Sequence, residues 1–236
     1  MWLEGAFLWL VEEFGEENIR RRRVFRPDVA DFPQAFDQTE NDAHTLLPVI
    51  AQQMETDPAN ITLRFYSQER VDYSGGHGGI IPSNYEKQHD LSLGMYHGRN
   101  RQGSFIISLE LGALKHTEGL VATLAHEIAH IKLLGDGRMK KVDEDMTDLL
   151  TVIYGFGIFN ANTAYRFVQG FEGWSTSGAG YLKQQEWGYA LALFCFIRKE
   201  IQLPEWIQFL TPNVKGDVKK AWDFIQAHPE KIFRKS

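Results

Sequence analysis

The chain has 236 residues, enough to bury one sizeable core, and its apolar (43%) and aromatic (13%) fractions are typical of an ordered globular protein, which excludes a disordered one. Its net charge of −6 excludes the strongly basic surface of a typical nucleic-acid-binding protein, so we expect no nucleic-acid partner. No run reaches the about 18 uninterrupted apolar residues of a membrane span, so we expect no membrane partner.

Cysteine content and the first residues of the chain bear on its location. The single cysteine, Cys195, excludes an intrachain disulfide, and its apolar neighbours favour a buried, unreactive thiol in a reducing compartment. The apolar start of the chain is interrupted by Glu4 and has no basic segment before it, so it is a poor signal peptide. We therefore expect a cytoplasmic protein.

The first third of the chain predicts two helices and one strand. Apolar residues recur with helical spacing over 2–14 and again over 43–54. Residues 61–66 (ITLRFY) alternate apolar and polar side chains, as a half-buried strand does. The one basic run, Arg20 to Arg23, follows an acidic stretch. We interpret it as a solvated or salt-bridged edge, with a nucleic-acid patch as the minor alternative.

An irregular segment follows at 72–90, in which four glycines flank His77. Such a loop is either a lid that brings His77 near a substrate or an excursion on which His77 is simply exposed. Two more strands are expected at 91–96 and 104–109 (SFIISL), separated by a polar turn.

The most informative stretch is His126-Glu127-Ile128-Ala129-His130. It lies in a segment, 117–134, whose apolar stripe predicts a helix with Thr117 as N-cap and Gly135 as its stop. Histidines four apart lie on the same face of a helix, so both imidazoles can bind one metal ion. Glu127 lies about 100° further round and can act as general base on a metal-bound water, as in zinc hydrolases with H-E-x-x-H. The alternative is a pair of core histidines bonded to backbone carbonyls.

A dense acidic cluster at 143–148 offers candidates for a third ligand. Glu144 and Asp148 are four apart and share a face if the segment is helical. Glu144 can then bind the metal while Asp148 accepts the ring N–H of a ligand histidine. Asp148 or Asp145 is the alternative third ligand. The whole cluster is otherwise a solvated acidic helix N-terminus.

The pairing of HEIAH with a following E-x-x-x-D (EDMTD) resembles the gluzincin class of zinc metallopeptidases. The run from Thr147 to Asn162 is also similar to one in uncharacterised bacterial zincin-like proteins, and the resemblance covers residues 104–162. It implies bound Zn2+ with these roles: His126, His130 and Glu144 as ligands, Glu127 as base and Asp148 as the partner of a ligand histidine. The spacer between His130 and Glu144 is shorter than in thermolysin, a member of the class, and that enzyme's oxyanion-stabilising histidine has no match. Its substrate preference is therefore not carried over.

The last third of the chain predicts helices. Gly155, Gly157 and Asn160 interrupt the helical pattern and favour close packing against another helix over a role in chemistry. Residues 181–201 predict a long, mostly buried helix, and Thr211-Pro212 predicts the N-cap and first position of a final amphipathic helix. The apolar side of that helix should pack onto the body through Trp222, Phe224 and Ile225.

Together these patterns predict an α+β fold in a single zincin-like domain, 1–236, with a small antiparallel or mixed sheet on a helical body that carries the H-E-x-x-H helix. The metal-site core spans about 104–162, and a helical C-terminal part spans about 163–236. SFIISL, or the strand before it, either offers a sheet edge to an extended peptide or is a plain structural strand.

The expected activity is zinc-dependent hydrolysis of a peptide or amide bond in a peptide or protein substrate, with Glu127 as general base. A further donor should stabilise the oxyanion. The candidates, by residue type alone, are Tyr154, His116 and Tyr189. The identity of the substrate and the oligomeric state are not predicted.

Other interpretations of the same ligands remain open. A non-catalytic interaction or regulatory protein would close a structural zinc site with a fourth ligand, since structural zinc is four-coordinate. The candidates for that ligand are His77, His116, Asp145 and Asp148. Two histidines and one carboxylate also suit a non-heme iron centre. Peptide deformylase is excluded, because it needs a ligand cysteine upstream of the motif and Cys195 lies downstream.

Overall fold

Helices and one small sheet make up the part of the chain that the computed structural model describes, which is residues 2–32, 35–67, 93–170 and 182–233. The helices are α1 (Trp2–Phe14), α2 (Glu16–Arg21), α3 (Glu40–Gln53), α4 (Thr117–His130), α5 (Glu144–Ile153), α6 (Gly157–Gly170), α7 (Gln184–Ile197) and α8 (Pro212–Ala227). The strands are β1 (Ile61–Tyr66), β2 (Gly94–Arg99) and β3 (Phe105–Glu110). The predicted α+β class is confirmed. The predictions for the loop 72–90 and for His77 lie outside the described residues.

Local sequence accounts for where the N-terminal helices begin and which side they bury. The buried positions of α1 include Leu3, Phe7, Leu10 and Phe14, which recur every three or four residues and therefore form one stripe. Helix α3 begins at residue 40, ahead of the predicted start, because the Thr39 side chain accepts a hydrogen bond from a backbone amide of its first turn. The short helix α2 was not predicted.

The sheet has the strand order β1-β3-β2, with β1 and β3 parallel and β3 and β2 antiparallel. The SFIISL strand, β3, is therefore hydrogen-bonded on both sides and is a structural strand, whereas the strand before it, β2, the other candidate for the edge, lies at an edge of the described sheet. Its first three residues, Phe105 to Ile107, are all buried, which is typical of a strand covered on both faces. The edges of the sheet, as far as the described residues extend, are β1 and β2. Strand β2 begins at Gly94, later than the predicted residue 91.

Helix α4 contacts β2, α3, α5 and α6. It begins at Thr117 itself, with His116 at the N-cap, so the predicted cap is displaced by one residue. A π-helical turn, Ile131–Gly135, extends the helix beyond the second histidine. Gly137, with a φ of +73°, then ends it. Gly135 is not the stop; it is needed for packing, since a Cβ there would lie 2.6 Å from a ring carbon of Phe105.

Of the three interruptions after α5, Gly157 and Asn160 pack against other helices, as predicted, whereas Gly155 packs against the non-helical backbone at Arg23. Gly155 has a φ of +87° and separates α5 from α6. A Cβ on Gly157 would lie 2.9 Å from a methyl carbon of Leu191 in α7. The buried Asn160 donates its side-chain amide to the carbonyl oxygen of Ala122 in α4, at 3.3 Å. These contacts hold α6 close to both α4 and α7.

The basic run lies at a salt-bridged edge, which confirms the first interpretation. Arg21 pairs with Glu17 at 2.8 Å, and Arg22 pairs with Glu55 at 2.9 Å. Arg23 forms an ion pair with the buried Asp31. With these guanidinium groups paired to carboxylates of the same chain, the run is bound into the fold.

The two C-terminal helices lie where the sequence predicts them, except that α7 begins at Gln184 and ends at Ile197, inside the predicted range 181–201. Cys195 is buried in α7, and α8 begins with Pro212 at its first position. Trp222 and Ile225 of α8 are buried, but Phe224 is 46% exposed, so its predicted packing onto the body is wrong. Among the helices of the described part of the chain, none is both long and apolar enough to cross a membrane.

Candidate metal centre

Helices α4 and α5 bring three ligand-type atoms to one point. Nε2 of His126 lies 3.0 Å from Oε2 of Glu144, and Nε2 of His130 lies 3.3 Å from the same oxygen. One nitrogen or oxygen from each residue lies within 4.8 Å of the others. Two ligand atoms that are each about 2.0–2.1 Å from zinc at a tetrahedral angle are about 3.3 Å apart. The spacing of the three side chains therefore matches the first coordination shell of a small divalent cation.

The backbone of each helix explains why these side chains meet. The two histidines are one turn apart on α4, and their rings lie edge to face with centroids 4.9 Å apart. Glu144 is the first residue of α5, directly after the N-cap Asp143, whose side chain accepts from the backbone amide of Met146 at 3.0 Å. The acidic cluster is thus divided: Asp143 caps the helix, while Glu144 turns towards the histidines.

Asp148 is hydrogen-bonded to Nδ1 of His126, the ring nitrogen that does not face Glu144. Its Oδ1 lies 2.9 Å from Nδ1 of His126, and the residue is 2% exposed. Because Nδ1 donates to Asp148, Nε2 is the ring nitrogen that faces Glu144, either as an N–H that donates to its carboxylate or, without that proton, as a ligand to a cation. Asp148 is therefore placed as the predicted histidine partner and not as a metal ligand. Asp145, the other alternative, is outside the group of three.

The second histidine has a partner that the sequence did not suggest. Oγ1 of the fully buried Thr147 lies 3.4 Å from Nδ1 of His130. The ring of Tyr96, in β2, also stacks on His130, at a centroid distance of 6.0 Å and an interplanar angle of 15°. In the sequence, the only feature that relates Thr147 to the site is its position three residues after Glu144.

Glu127 is buried beside this group and lacks a full set of partners. The residue is 4% exposed, and its Oε2 makes no hydrogen bond with any of the described residues. Burial raises the pKa of its carboxyl group. A buried carboxylate oxygen without a donor is costly, so the geometry suits a hydrogen-bond donor held between Glu127 and a cation.

Strand β2 lies directly against Glu127. A Cβ on Gly94 would lie 2.9 Å from Oε1 of Glu127 and 2.5 Å from a methyl carbon of Thr123. Glycine is therefore the residue that allows the edge strand to approach the helix so closely. Neither Gly94 nor Tyr96 was a candidate from the sequence, because a short glycine-containing strand shows nothing about what packs beneath it.

The charges of the site fit a cation as well. Burial lowers the pKa of His126, but hydrogen bonds to Asp148 and Glu144 raise it more strongly, to about 10. The hydrogen bonds of Glu144 to His126 and His130 lower its pKa. Three carboxylates around two imidazoles are stable only with positive charge among them, as protons or as a metal ion. Two histidines and a carboxylate are a donor set that binds divalent metal ions, zinc and iron(II) among them.

Several predicted candidates lie elsewhere. The hydroxyl of Tyr154 donates to Glu55 at 3.2 Å, and the hydroxyl of Tyr189 donates to Glu4 at 2.6 Å. His116 precedes the first turn of α4, ten residues before His126 and therefore about 15 Å along the helix. None of these three side chains is placed to donate to an oxyanion at the group, and His116 is too distant to be a fourth ligand.

Comparison with known proteins adds no relative to this description. No protein-family model, no curated protein and no solved structure matches the chain. The site is thus defined by its own geometry: a largely buried group of His126, His130 and Glu144 that could hold a metal ion.

Proposed function

We propose that the protein is a zinc-dependent metallopeptidase of the gluzincin type, which hydrolyses a peptide or amide bond. One observation carries the proposal: Nε2 of His126, Nε2 of His130 and Oε2 of Glu144 converge, next to a buried Glu127 carboxylate whose second oxygen lacks a partner among the described residues. Three protein ligands are the set of a catalytic zinc, whereas a structural zinc takes four. The described residues contribute three.

The mechanism follows from where these side chains lie. When bound, zinc would supply an acidified water, with a pKa lowered towards about 7, and would polarise the substrate carbonyl. Glu127 takes a proton from the attacking water as the oxygen–carbon bond forms. It gives that proton to the leaving nitrogen as the carbon–nitrogen bond breaks. Burial raises the pKa of Glu127, which makes it a stronger base than an exposed glutamate.

The position of β2 supports a peptide as the substrate class. The strand is an edge of the described sheet, and Gly94 packs onto Glu127. An extended peptide that paired with such an edge would place its backbone carbonyls along the site. The absence of a Cβ at Gly94 leaves Glu127 room to move a proton beside them.

The experiment separates metal binding from chemistry. Protein purified without added metal should contain about one zinc per chain by elemental mass spectrometry. The variant Glu127→Gln should keep that zinc and lose cleavage of a fluorogenic peptide library and of unfolded casein. Glu12→Gln, an exposed substitution on α1, is the matched control and should keep both.

Two results would overturn the proposal. Undiminished cleavage by Glu127→Gln would remove the base from the mechanism. A zinc-loaded wild-type protein with a fourth protein ligand, seen by X-ray absorption as a closed shell without a solvent oxygen, would instead establish a structural site.

A further inference from the structure

Three residues in one turn of α5 contact all four ring nitrogens of His126 and His130. Glu144, Thr147 and Asp148 occupy positions i, i+3 and i+4, which share one face of a helix. Glu144 faces Nε2 of both histidines, and Asp148 faces Nδ1 of His126. The remaining nitrogen is Nδ1 of His130, and Thr147 faces it.

The direction of the hydrogen bond at Thr147 follows from its second partner. Oγ1 of Thr147 lies 2.9 Å from the backbone carbonyl oxygen of Asp143, which can only accept. A hydroxyl has one proton, so that proton goes to Asp143 and a lone pair faces His130. The atom of His130 opposite this lone pair, 3.4 Å away, is therefore an N–H. Nδ1 of His130 is therefore held as an N–H, and Nε2, which faces the Glu144 carboxylate, is the ring nitrogen left to exchange its proton for a metal ion.

The bond to Asp143 alone has an ordinary explanation. Threonine hydroxyls inside helices commonly donate to the carbonyl four residues before them. Thr151, one turn further on, donates in a similar way to the carbonyl oxygen of Asp148, at 2.7 Å. What distinguishes Thr147 is that its accepting side faces a metal-type histidine, and that both residues are buried from water, with exposures of 0% and 7%.

We propose that Thr147 is a positioning residue for His130, which fixes the tautomer and the ring orientation in which Nε2 can bind the metal. The inference rests on the proposed zinc site but does not depend on hydrolysis. It also makes the two histidines unequal, since a carboxylate supports His126 and a neutral hydroxyl supports His130.

The test compares three variants with the zinc ion itself as the probe. Thr147→Val keeps the β-branched shape and loses the hydroxyl, Thr147→Ser keeps the hydroxyl, and Thr151→Val is the matched control on the same helix. The dissociation constant for zinc is measured by competition with a chromophoric chelator, and unfolding is followed in parallel. We expect Thr147→Val to weaken zinc binding about tenfold, with Thr147→Ser and Thr151→Val close to the wild type.

A second measurement does not require the valine variant to fold. In the zinc-loaded wild-type protein, nitrogen-15 NMR of His130 should show a protonated Nδ1 and a metal-bound Nε2. Metal at Nδ1, or wild-type zinc affinity in Thr147→Val, or failure of Thr147→Ser to restore affinity, would each overturn the role of Thr147. Absence of zinc binding by the wild type would instead refute the proposed function, so the two failures are distinct.

Discussion

The imidazole of His126 and the carboxylate of Asp148 are joined by a 2.9 Å hydrogen bond through Nδ1, on the side of the ring away from Glu144. The two residues come from different helices and are 22 positions apart. The contact therefore links α5 to α4 and orients the ring.

Removal of the charge at Asp148 should weaken the metal site more than removal of the Thr147 hydroxyl. We expect Asp148→Asn to bind zinc about 10–100-fold more weakly, because a neutral amide supports the bound imidazole less than a carboxylate does. The dissociation constant from chelator competition measures the effect. Asp145→Asn, in the same turn but outside the group of three, is the control and should change it little. Equal losses in both variants would show that only the net charge of the cluster matters.

A methyl group at position 94 should separate catalysis from metal binding. The new Cβ of Gly94→Ala would lie 2.9 Å from Oε1 of Glu127, so the carboxylate or the strand must move. We expect kcat to fall by more than about tenfold, since displacements of about 1 Å are costly in catalysis. Zinc content should stay the same.

Gly5→Ala on α1 is the control for this prediction, because no atom lies within 4 Å of the Cβ it would add. Unchanged peptide cleavage by Gly94→Ala would show that β2 does not constrain Glu127.

Tyr154 should matter for stability and not for hydrolysis. It is fully buried, its hydroxyl donates to Glu55 at 3.2 Å, and the guanidinium of Arg22 lies 3.7 Å above its ring. We expect Tyr154→Phe to lower the free energy of unfolding by about 1 kcal/mol, the usual value of one hydrogen bond. Chemical denaturation measures this. The value of kcat/KM should not change, and a large fall in it without loss of stability would make Tyr154 an oxyanion donor after all.

Acid should destabilise the fold partly through Asp31. Burial alone would raise the pKa of this carboxyl, but hydrogen bonds from Arg26 and Arg23 lower it below its ordinary value. A lowered pKa in the folded state means that the stabilisation is complete above the unfolded pKa of about 3.9 and is lost as the pH falls through the folded pKa.

Asp31→Asn should therefore cost about 1–3 kcal/mol at neutral pH, and the difference from the wild type should shrink below about pH 4. Denaturation curves across this pH range test it, with Asp223→Asn, an exposed change on α8, as the control. A difference that is constant across the range would mean that the charge of Asp31 is not what stabilises the fold.

The features of the site that depend on residue spacing within a single helix could be predicted from the sequence. The shared face of His126 and His130 and the approach of Glu144 and Asp148 follow from residues four apart. The role of Thr147 could not be predicted in the same way. A buried threonine hydroxyl is usually bonded to its own helix, and only the packing of α5 on α4 shows that a histidine faces it.

The sheet was harder to predict than the helices for a related reason. The alternation in β1 and the apolar run in β3 identify strands, but strand order depends on pairing between segments far apart in the chain. The parallel pairing of Ile61 with Phe105 places β3 in the centre and leaves β2 at the edge. The importance of Gly94 then depends on which helix lies under that edge, which no local pattern encodes.

Glu144, Thr147 and Asp148, which face α4, share a single turn of α5. A slip of that turn by a fraction of its pitch would disrupt all of these contacts together. We therefore expect binding and release of the metal ion to be cooperative with the packing of α5 against α4. Removal of the metal ion by a chelator should make the segment between α4 and α5 susceptible to proteases. Bound zinc would then stabilise the packing of these two helices.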